Sequence, residues 1–147
     1  MSGEQAARLL EALREESPTA LTLALGAAAQ AFKLRPQFLR RQPRERQAEW
    51  ARRALSRAAS ADAAEEVLAE FFLGCRRALL VEWLDALGLE HDDGSLAAPH
   101  PPCPDSETLV PALEKFRAGE PAEERDLLVR AFAAQTAVDW PRLEALL

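Results

Sequence analysis

Residues 62–88, DAAEEVLAEFFLGCRRALLVEWLDALG, decide the fold class of this chain. Asp62 and Glu65 form a capping-box-like start, D-x-x-E, and Gly88 supplies a left-handed stop, so the pattern predicts one helix over about 62–87. A helix that is apolar on two sides is packed by neighbours in two directions, and we therefore predict a long central helix. One apolar side holds Leu68, Phe71, Phe72, Cys75, Leu79, Trp83 and Ala86, and the other holds Leu73, Leu80, Leu84 and Leu87.

The rest of the chain is also helical in pattern. Ala and Leu dominate, Tyr is absent and β-branched residues are scarce, a composition that favours helix because Ala and Leu lose little side-chain freedom there. A chain of 147 residues is the length of one domain. The predicted fold class is all-α: a single-domain bundle of six or seven helices over residues 1–147, built around the long helix, with a Pro- and Asp-rich loop at about 88–105.

Charge is distributed unevenly along the chain. The net charge is −6, yet residues 33–57 hold nine basic residues against two acidic ones, so this basic segment has a net charge of +7. On a helix predicted over 43–59, Arg46, Arg53 and Arg57 form one stripe with Trp50 on its border. Arg40 and Arg41 precede that helix, in what we predict to be a short helical turn.

The basic segment allows two interpretations. Arginine beside an exposed aromatic side chain is typical of surfaces that bind phosphate backbone and stack on bases. Against this, Glu45 and Glu49 are spaced to pair with the same arginines, and no helix-turn-helix, homeodomain, RRM or zinc-finger pattern is present. The alternative is that the stripe meets acidic helices of the same chain, within one subunit or across a dimer.

A second group of residues suggests a metal or acid–base site. Glu82 and Asp85 lie one turn apart on the long helix, and His91 follows in the loop. The spacing H-x8-H-x2-C matches no known zinc pattern, and E-x-x-H does not occur. The alternative is an ion pair of Glu82 with Arg76, Arg77 or the basic segment, and a loop that forms an acidic turn and a Pro-rich strap. The loop contains four further residues of types that bind metal ions: Asp92, Asp93, His100 and Cys103.

Several classes of protein are excluded or disfavoured. No G-x-S-x-G and no phosphate-binding glycine loop occurs, so we predict no catalytic residue and no cofactor. Two cysteines do not make a disulfide framework. The N-terminus lacks the pattern of a signal peptide, and the most apolar run, residues 20–32, is shorter than a membrane span. These features predict a cytoplasmic location and no membrane partner.

The function predicted from the sequence is binding rather than catalysis. We predict a small, bacterial-looking module that binds another protein or a second copy of itself. Trp50, Trp83 and Trp140 are candidate interface anchors, and for the last two burial in the core is an equal alternative. The first alternative function is nucleic-acid binding through residues 33–57, with contacts from Arg40, Arg41, Arg46, Trp50, Arg53 and Arg57. The second alternative function is a metal or acid–base site near Glu82, Asp85 and His91.

Overall fold

The computed structural model describes residues 1–135 and 137–147. These residues form nine α-helices and one antiparallel pair of two-residue strands, so the all-α prediction is confirmed. In chain order the helices are α1 (Gly3–Glu16), α2 (Pro18–Ala31), α3 (Pro36–Arg40), α4 (Arg44–Leu55), α5 (Ala61–Glu70), α6 (Arg77–Ala86), α7 (Ser106–Arg117), α8 (Ala122–Ala133) and α9 (Pro141–Glu144). Helices α3 and α9 are only five and four residues long. The residues group into two compact units, unit 1 (Met1–Cys75) and unit 2 (Arg76–Leu147). The single-domain organisation stays a prediction.

The long helix predicted over 62–87 is wrong in two respects. It is not continuous, and Asp62 does not cap its start, because the first helix begins at Ala61 and its N-cap residue, Ser60, makes no side-chain cap hydrogen bond among the described residues. Helix α5 covers Ala61–Glu70, a π-helical turn covers Phe71–Cys75, and α6 covers Arg77–Ala86. Arg76 lies between the two helices with φ −132° and ψ 35°, outside the helical region. The interruption falls at the boundary between the two units. The apolar positions of this stretch are therefore divided between two helices.

Glycine and a buried carboxylate account for the interruption. Gly74 lies in the π-helical turn, and glycine is the poorest helix former apart from proline. A Cβ at Gly74 would meet only the flexible Glu70 carboxylate at 3.4 Å, so close packing does not require glycine there. Immediately after the turn, the Arg76 Nε donates to Glu124 Oε2 at 2.7 Å, and Glu124 is only 5% exposed. This ion pair holds the start of α6 against the α8 helix of unit 2.

Unit 1 is an alanine-rich helical core. Ala24, Ala28 and Ala54 are fully buried, and such small side chains let α2 approach α4 closely. Helix α4 ends at Leu55, four residues before the end predicted from the sequence. The Ser56 hydroxyl donates to the Arg52 carbonyl at 2.8 Å, which offers the backbone an alternative to the helix. The other helices of unit 1 are α1 (Gly3–Glu16), α2 (Pro18–Ala31), α3 (Pro36–Arg40) and α4 (Arg44–Leu55), and a 3₁₀ turn covers Ala58–Ser60.

Unit 2 has an aromatic core. The Trp83 ring lies 5.0 Å from Phe116 and 6.1 Å from Phe132, and Phe132 lies 5.4 Å from Trp140, each between ring centroids. Both tryptophans are buried, so the structure supports the core alternative for them rather than interface anchoring. The other elements of unit 2 are β1 (His91–Asp92), β2 (Ser95–Leu96), α7 (Ser106–Arg117), α8 (Ala122–Ala133) and α9 (Pro141–Glu144).

The loop predicted at about 88–105 contains a small hairpin and a strap. Strands β1 and β2 pair antiparallel around Asp93 and Gly94, whose φ values are 46° and 95°. Positive φ at both central residues is typical of a type I′ hairpin turn. Further along, the Trp140 indole donates to the Pro101 carbonyl at 2.9 Å and Arg142 donates to the Pro104 carbonyl at 3.1 Å. The Pro-rich part is thus held against the C-terminal part of unit 2.

Candidate functional site

An arginine–aromatic cluster lies at the surface of unit 1, where the end of α2 meets α4. It consists of Phe32, Trp50, Arg53 and Arg57. The rings of Phe32 and Trp50 meet edge to face with their centroids 4.7 Å apart. The Arg53 guanidinium lies over both rings, 5.0 Å from the Phe32 centroid and 5.4 Å from the Trp50 centroid, and the Arg57 guanidinium lies 4.9 Å from the Phe32 centroid. Two cations therefore share one pair of aromatic rings.

Stacking fixes these arginines without neutralising them. Within residues 1–135 and 137–147, the ion pairs include neither Arg53 nor Arg57, and both residues are exposed. Arg57 is further fixed by a 2.7 Å hydrogen bond from Nη1 to the Ala31 carbonyl at the end of α2. A guanidinium on a ring keeps N–H donors at its edge, where they can bind a carboxylate or phosphate bidentately. The cluster is thus a positive surface with little side-chain freedom left to lose.

Neighbouring arginines behave differently. Arg52 forms two hydrogen bonds of 2.9 Å with Glu49, which hold the pKa of Glu49 below its ordinary value. Arg44 pairs with Glu11 of α1 at 2.6 Å. The sequence pattern assigned Glu49 to the stripe arginines, whereas the ion pair that forms is with Arg52. Glu49 therefore forms its ion pair with Arg52 and not with the stacked arginines, although the charge of Arg53 also helps to lower the pKa of Glu49.

Of the six residues predicted for the basic surface, the structure gathers three, Trp50, Arg53 and Arg57. Arg57 lies beyond the end of α4, so it is not part of a helical stripe; the chain turns back and places its guanidinium over Phe32. Arg46 is exposed on α4. Arg40 and Arg41 are exposed at the end of α3 instead.

Phe32 was not among the residues predicted for the basic surface. The residue after Phe32 has an unusual backbone conformation. Lys33 has a φ of 53°, and the N–H of Leu34 donates to the Ala29 carbonyl at 2.8 Å, a helix ending in which glycine is usual. A left-handed conformation costs a non-glycine residue roughly 1–2 kcal/mol. The chain thus has a strained, positively charged residue next to the cluster, and strain of this kind is typical of functional sites.

The structure accounts for Glu82 as an ion pair. Its two carboxylate oxygens accept from Arg125 Nη1 and Nη2 at 2.8 Å each, whereas the sequence pattern named Arg76, Arg77 or the basic segment as the partner. Arg125 is 8% exposed, donates to the carbonyls of Glu120 and Phe116, and lies 4.5 Å from the Phe116 ring centroid. The hydrogen bonds from Arg125 hold the pKa of Glu82 below its ordinary value.

Asp85 and His91 form a second, separate pair. His91 Nε2 lies 3.1 Å from Asp85 Oδ1, while its Nδ1 accepts from the Gly94 N–H at 3.2 Å. The acceptor at Nδ1 assigns the ring proton to Nε2, which donates to Asp85. Both ring nitrogens are therefore engaged, Nε2 by Asp85 of α6 and Nδ1 by the backbone of the loop. In the part of the chain that the structure describes, no three His, Cys, Asp or Glu side chains are grouped so as to hold a metal ion.

The Glu82–Arg125 pair predicts how stability depends on pH. The pKa of Glu82 is lowered in the folded chain, so the stability from this pair is fully present above the ordinary carboxyl pKa of 4.5 and is lost as pH falls through the lower folded value. We expect urea unfolding to show a stability difference between the native chain and Glu82→Gln that shrinks with acid. Glu114→Gln, which changes an exposed carboxylate, is the control. A difference that stays constant across the acid range would contradict the assignment.

No protein-family model, characterised protein or solved structure matches this chain. Among the described helices, none combines the length and the apolar character needed to cross a membrane. The geometry of the arginine–aromatic cluster is therefore the main guide to the function of the protein.

Proposed function

We propose that this protein is a non-catalytic binding module whose arginine–aromatic cluster binds an acidic surface of a partner protein. The observation that supports the proposal is the stacking of Arg53 and Arg57 on Phe32 and Trp50 in place of ion pairs. Arginine and aromatic side chains are enriched at the energetic centres of protein interfaces. Because the two guanidinium groups are already held in place, less side-chain entropy is lost when a partner's carboxylates bind them.

One observation favours a protein over a nucleic acid as the partner. The guanidinium groups of Arg53 and Arg57 occupy ring faces of Phe32 and Trp50 on which bases would have to stack. Nucleic-acid binding through residues 33–57 stays the alternative. The cytoplasmic location also stays a prediction.

The proposal predicts selective binding of an acidic polypeptide. A fluorescently labelled polyglutamate peptide should bind the full chain in a fluorescence anisotropy titration, and the double variant Arg53→Gln/Arg57→Gln should weaken that binding by about tenfold or more. The matched control is Arg44→Gln/Arg52→Gln, which removes two arginines of the same helix that already have carboxylate partners. This control should leave the affinity within a factor of about three.

A single-stranded oligonucleotide of equal charge, titrated in parallel, distinguishes the alternative. Preference for the oligonucleotide, with an affinity that falls steeply with salt, would replace the protein-binding proposal with nucleic-acid binding. Equal losses in both double variants would mean that only net charge matters and would overturn the role of the cluster. Circular dichroism of each variant checks that the helices are retained.

A further inference from the structure

Two large apolar side chains are exposed within the described residues, one in each unit. Phe38 of α3 is 49% exposed, and Leu146, after α9, is 40% exposed. Single exposed apolar side chains are common on protein surfaces. These two differ in that one projects from basic surroundings and the other lines a groove in acidic surroundings. Phe38 projects from a positively charged turn, and Leu146 lines a groove with free carboxylates near it.

Phe38 is held on a fixed support. Helix α3 is five residues long, and a helix of this length is not stable by itself. Leu39 anchors it, because this side chain is fully buried. The amide of Gln47, itself 7% exposed, donates to the carbonyls of Arg40 at 3.1 Å and Gln42 at 2.8 Å, which satisfies the end of α3. The exposure of Phe38 is therefore a property of a fixed turn, not of a loose loop.

The surroundings of Phe38 are positive. Arg35, Arg40 and Arg41 flank it in the sequence and are exposed. The ion pairs of the described residues include none of these three arginines. An apolar side chain between unpaired arginines fits a partner surface that is apolar in the middle and acidic at its rim.

Unit 2 has a groove along α7 that is apolar in the middle and has carboxylates near its rim. It is open, has a volume of about 460 Å³, and is large enough to receive an aromatic ring. Arg117 on its wall pairs with Asp126, a carboxylate that also pairs with Arg130, and Lys115, the next cation on α7, lies near Glu82. The groove is lined by Val110, Leu113, Glu114, Arg117, Ala118 and Leu146.

The carboxylates near the groove are available for a partner. Glu114 lines it, Glu107 lies two turns earlier on the same face of α7, and Glu144 precedes Leu146 by two residues. All three are exposed, and none belongs to an ion pair among the residues that the structure describes. This end of unit 2 is thus apolar at the centre and negative around it.

We propose that the protein partner is a second copy of this chain, with Phe38 of one copy seated in the groove beside Leu146 of the other. Arg40 and Arg41 then meet carboxylates at the rim of the groove. The two charges are opposite in sign and equal in size, because the basic segment 33–57 has a net charge of +7 and unit 2 has a net charge of −7. The inference rests on the proposed function, since it names the acidic partner surface; its contacts come from the α3 turn of the basic segment and not from the arginine–aromatic cluster.

The contact joins two different surfaces of one chain. Each copy therefore offers one knob and one groove, and such a contact either closes reciprocally between two copies or continues into a larger ring. Its ionic part is exposed to solvent, so the association should weaken as salt screens the charges.

Light scattering and sedimentation of the full chain test the inference at low and high salt over a range of concentrations. We expect association that weakens with salt. Phe38→Ser and Leu146→Ser should each weaken it by about tenfold or more, because a central aromatic anchor contributes most of the energy of a small contact. Phe38→Leu, which keeps an apolar side chain, is the matched control and should retain association.

Mixing the two serine variants tests directly whether Phe38 of one copy binds the groove of another. The Phe38→Ser chain keeps its groove and the Leu146→Ser chain keeps its Phe38, so the mixture should associate at concentrations at which neither variant does so alone. A monomeric native chain, association that survives Phe38→Ser, or a mixture that stays monomeric would each overturn the inference. The polyglutamate titration tests the proposed function separately, because it measures how tightly the arginine–aromatic cluster binds a foreign acidic chain.

Discussion

Replacing Trp83 with alanine should lower the free energy of unfolding by about 3–5 kcal/mol. The side chain is fully buried and packs against Phe116 and Phe132, so its removal leaves a cavity in the aromatic core of unit 2. Urea denaturation followed by circular dichroism measures the loss. The substitution should leave binding by the arginine–aromatic cluster unchanged wherever the variant stays folded, because Trp83 lies in the other unit.

Trp83→Phe is the matched control for this prediction. Within the described residues the Trp83 indole N–H is buried without a hydrogen-bond partner, and an unsatisfied buried donor costs roughly 1–3 kcal/mol. Phenylalanine removes that donor while it keeps most of the ring volume, so we expect a much smaller loss than for alanine. A loss below about 1 kcal/mol for Trp83→Ala, together with weaker association, would restore the interface-anchor prediction for this residue.

Replacing Arg125 with methionine should cost unit 2 about 2–3 kcal/mol. Arg125 is 8% exposed, and it donates to both oxygens of Glu82 and to the carbonyls of Phe116 and Glu120. Methionine fills the space but leaves those carbonyls without their donor. The loss stays below that of a fully buried ion pair because the Glu82 side chain is 54% exposed and water can solvate it.

Arg130→Met is the control on the same helix. Arg130 pairs with Asp126 at the surface, with 45% of its side chain exposed, so its removal should cost no more than about 1 kcal/mol. Thermal or urea unfolding compares the two variants. Equal costs would mean that the buried network around Arg125 contributes nothing beyond a surface ion pair. A stability gain in Arg125→Met would show that packing outweighs the ionic network in this core.

The sequence predicted the helical class and several helix ends because those depend on local chemistry. The end of α6 is an example: Gly88 has φ 67°, and the N–H of Leu89 donates to the Leu84 carbonyl. The interruption at Arg76 was only partly predictable: Gly74 is a local signal for it, but the contact of Arg76 is with Glu124, 48 residues away in the chain. The hairpin turn at Asp93-Gly94 had a local signal that went unused, because Asp-Gly is a preferred type I′ pair.

The candidate site was predictable only in part. The charge of the basic segment and the position of Trp50 follow from the sequence, but the stacking requires the end of α2 to bring Phe32 against α4. The partner of Glu82 had an indirect signal: Arg125 shares a face of α8 with Leu128 and Phe132, and a cation on an apolar face requires a buried partner. Which carboxylate meets it depends on tertiary packing.

The distribution of the three tryptophans has an optical consequence. Trp83 and Trp140 are buried in unit 2, whereas Trp50 is partly exposed in the arginine–aromatic cluster. A neutral collisional quencher such as acrylamide therefore reaches Trp50 before the other two indoles. A partner that covers the cluster shields the emission of Trp50 and leaves that of the buried pair unchanged. The protein thus has an intrinsic fluorescent reporter at the surface where its partner is proposed to bind.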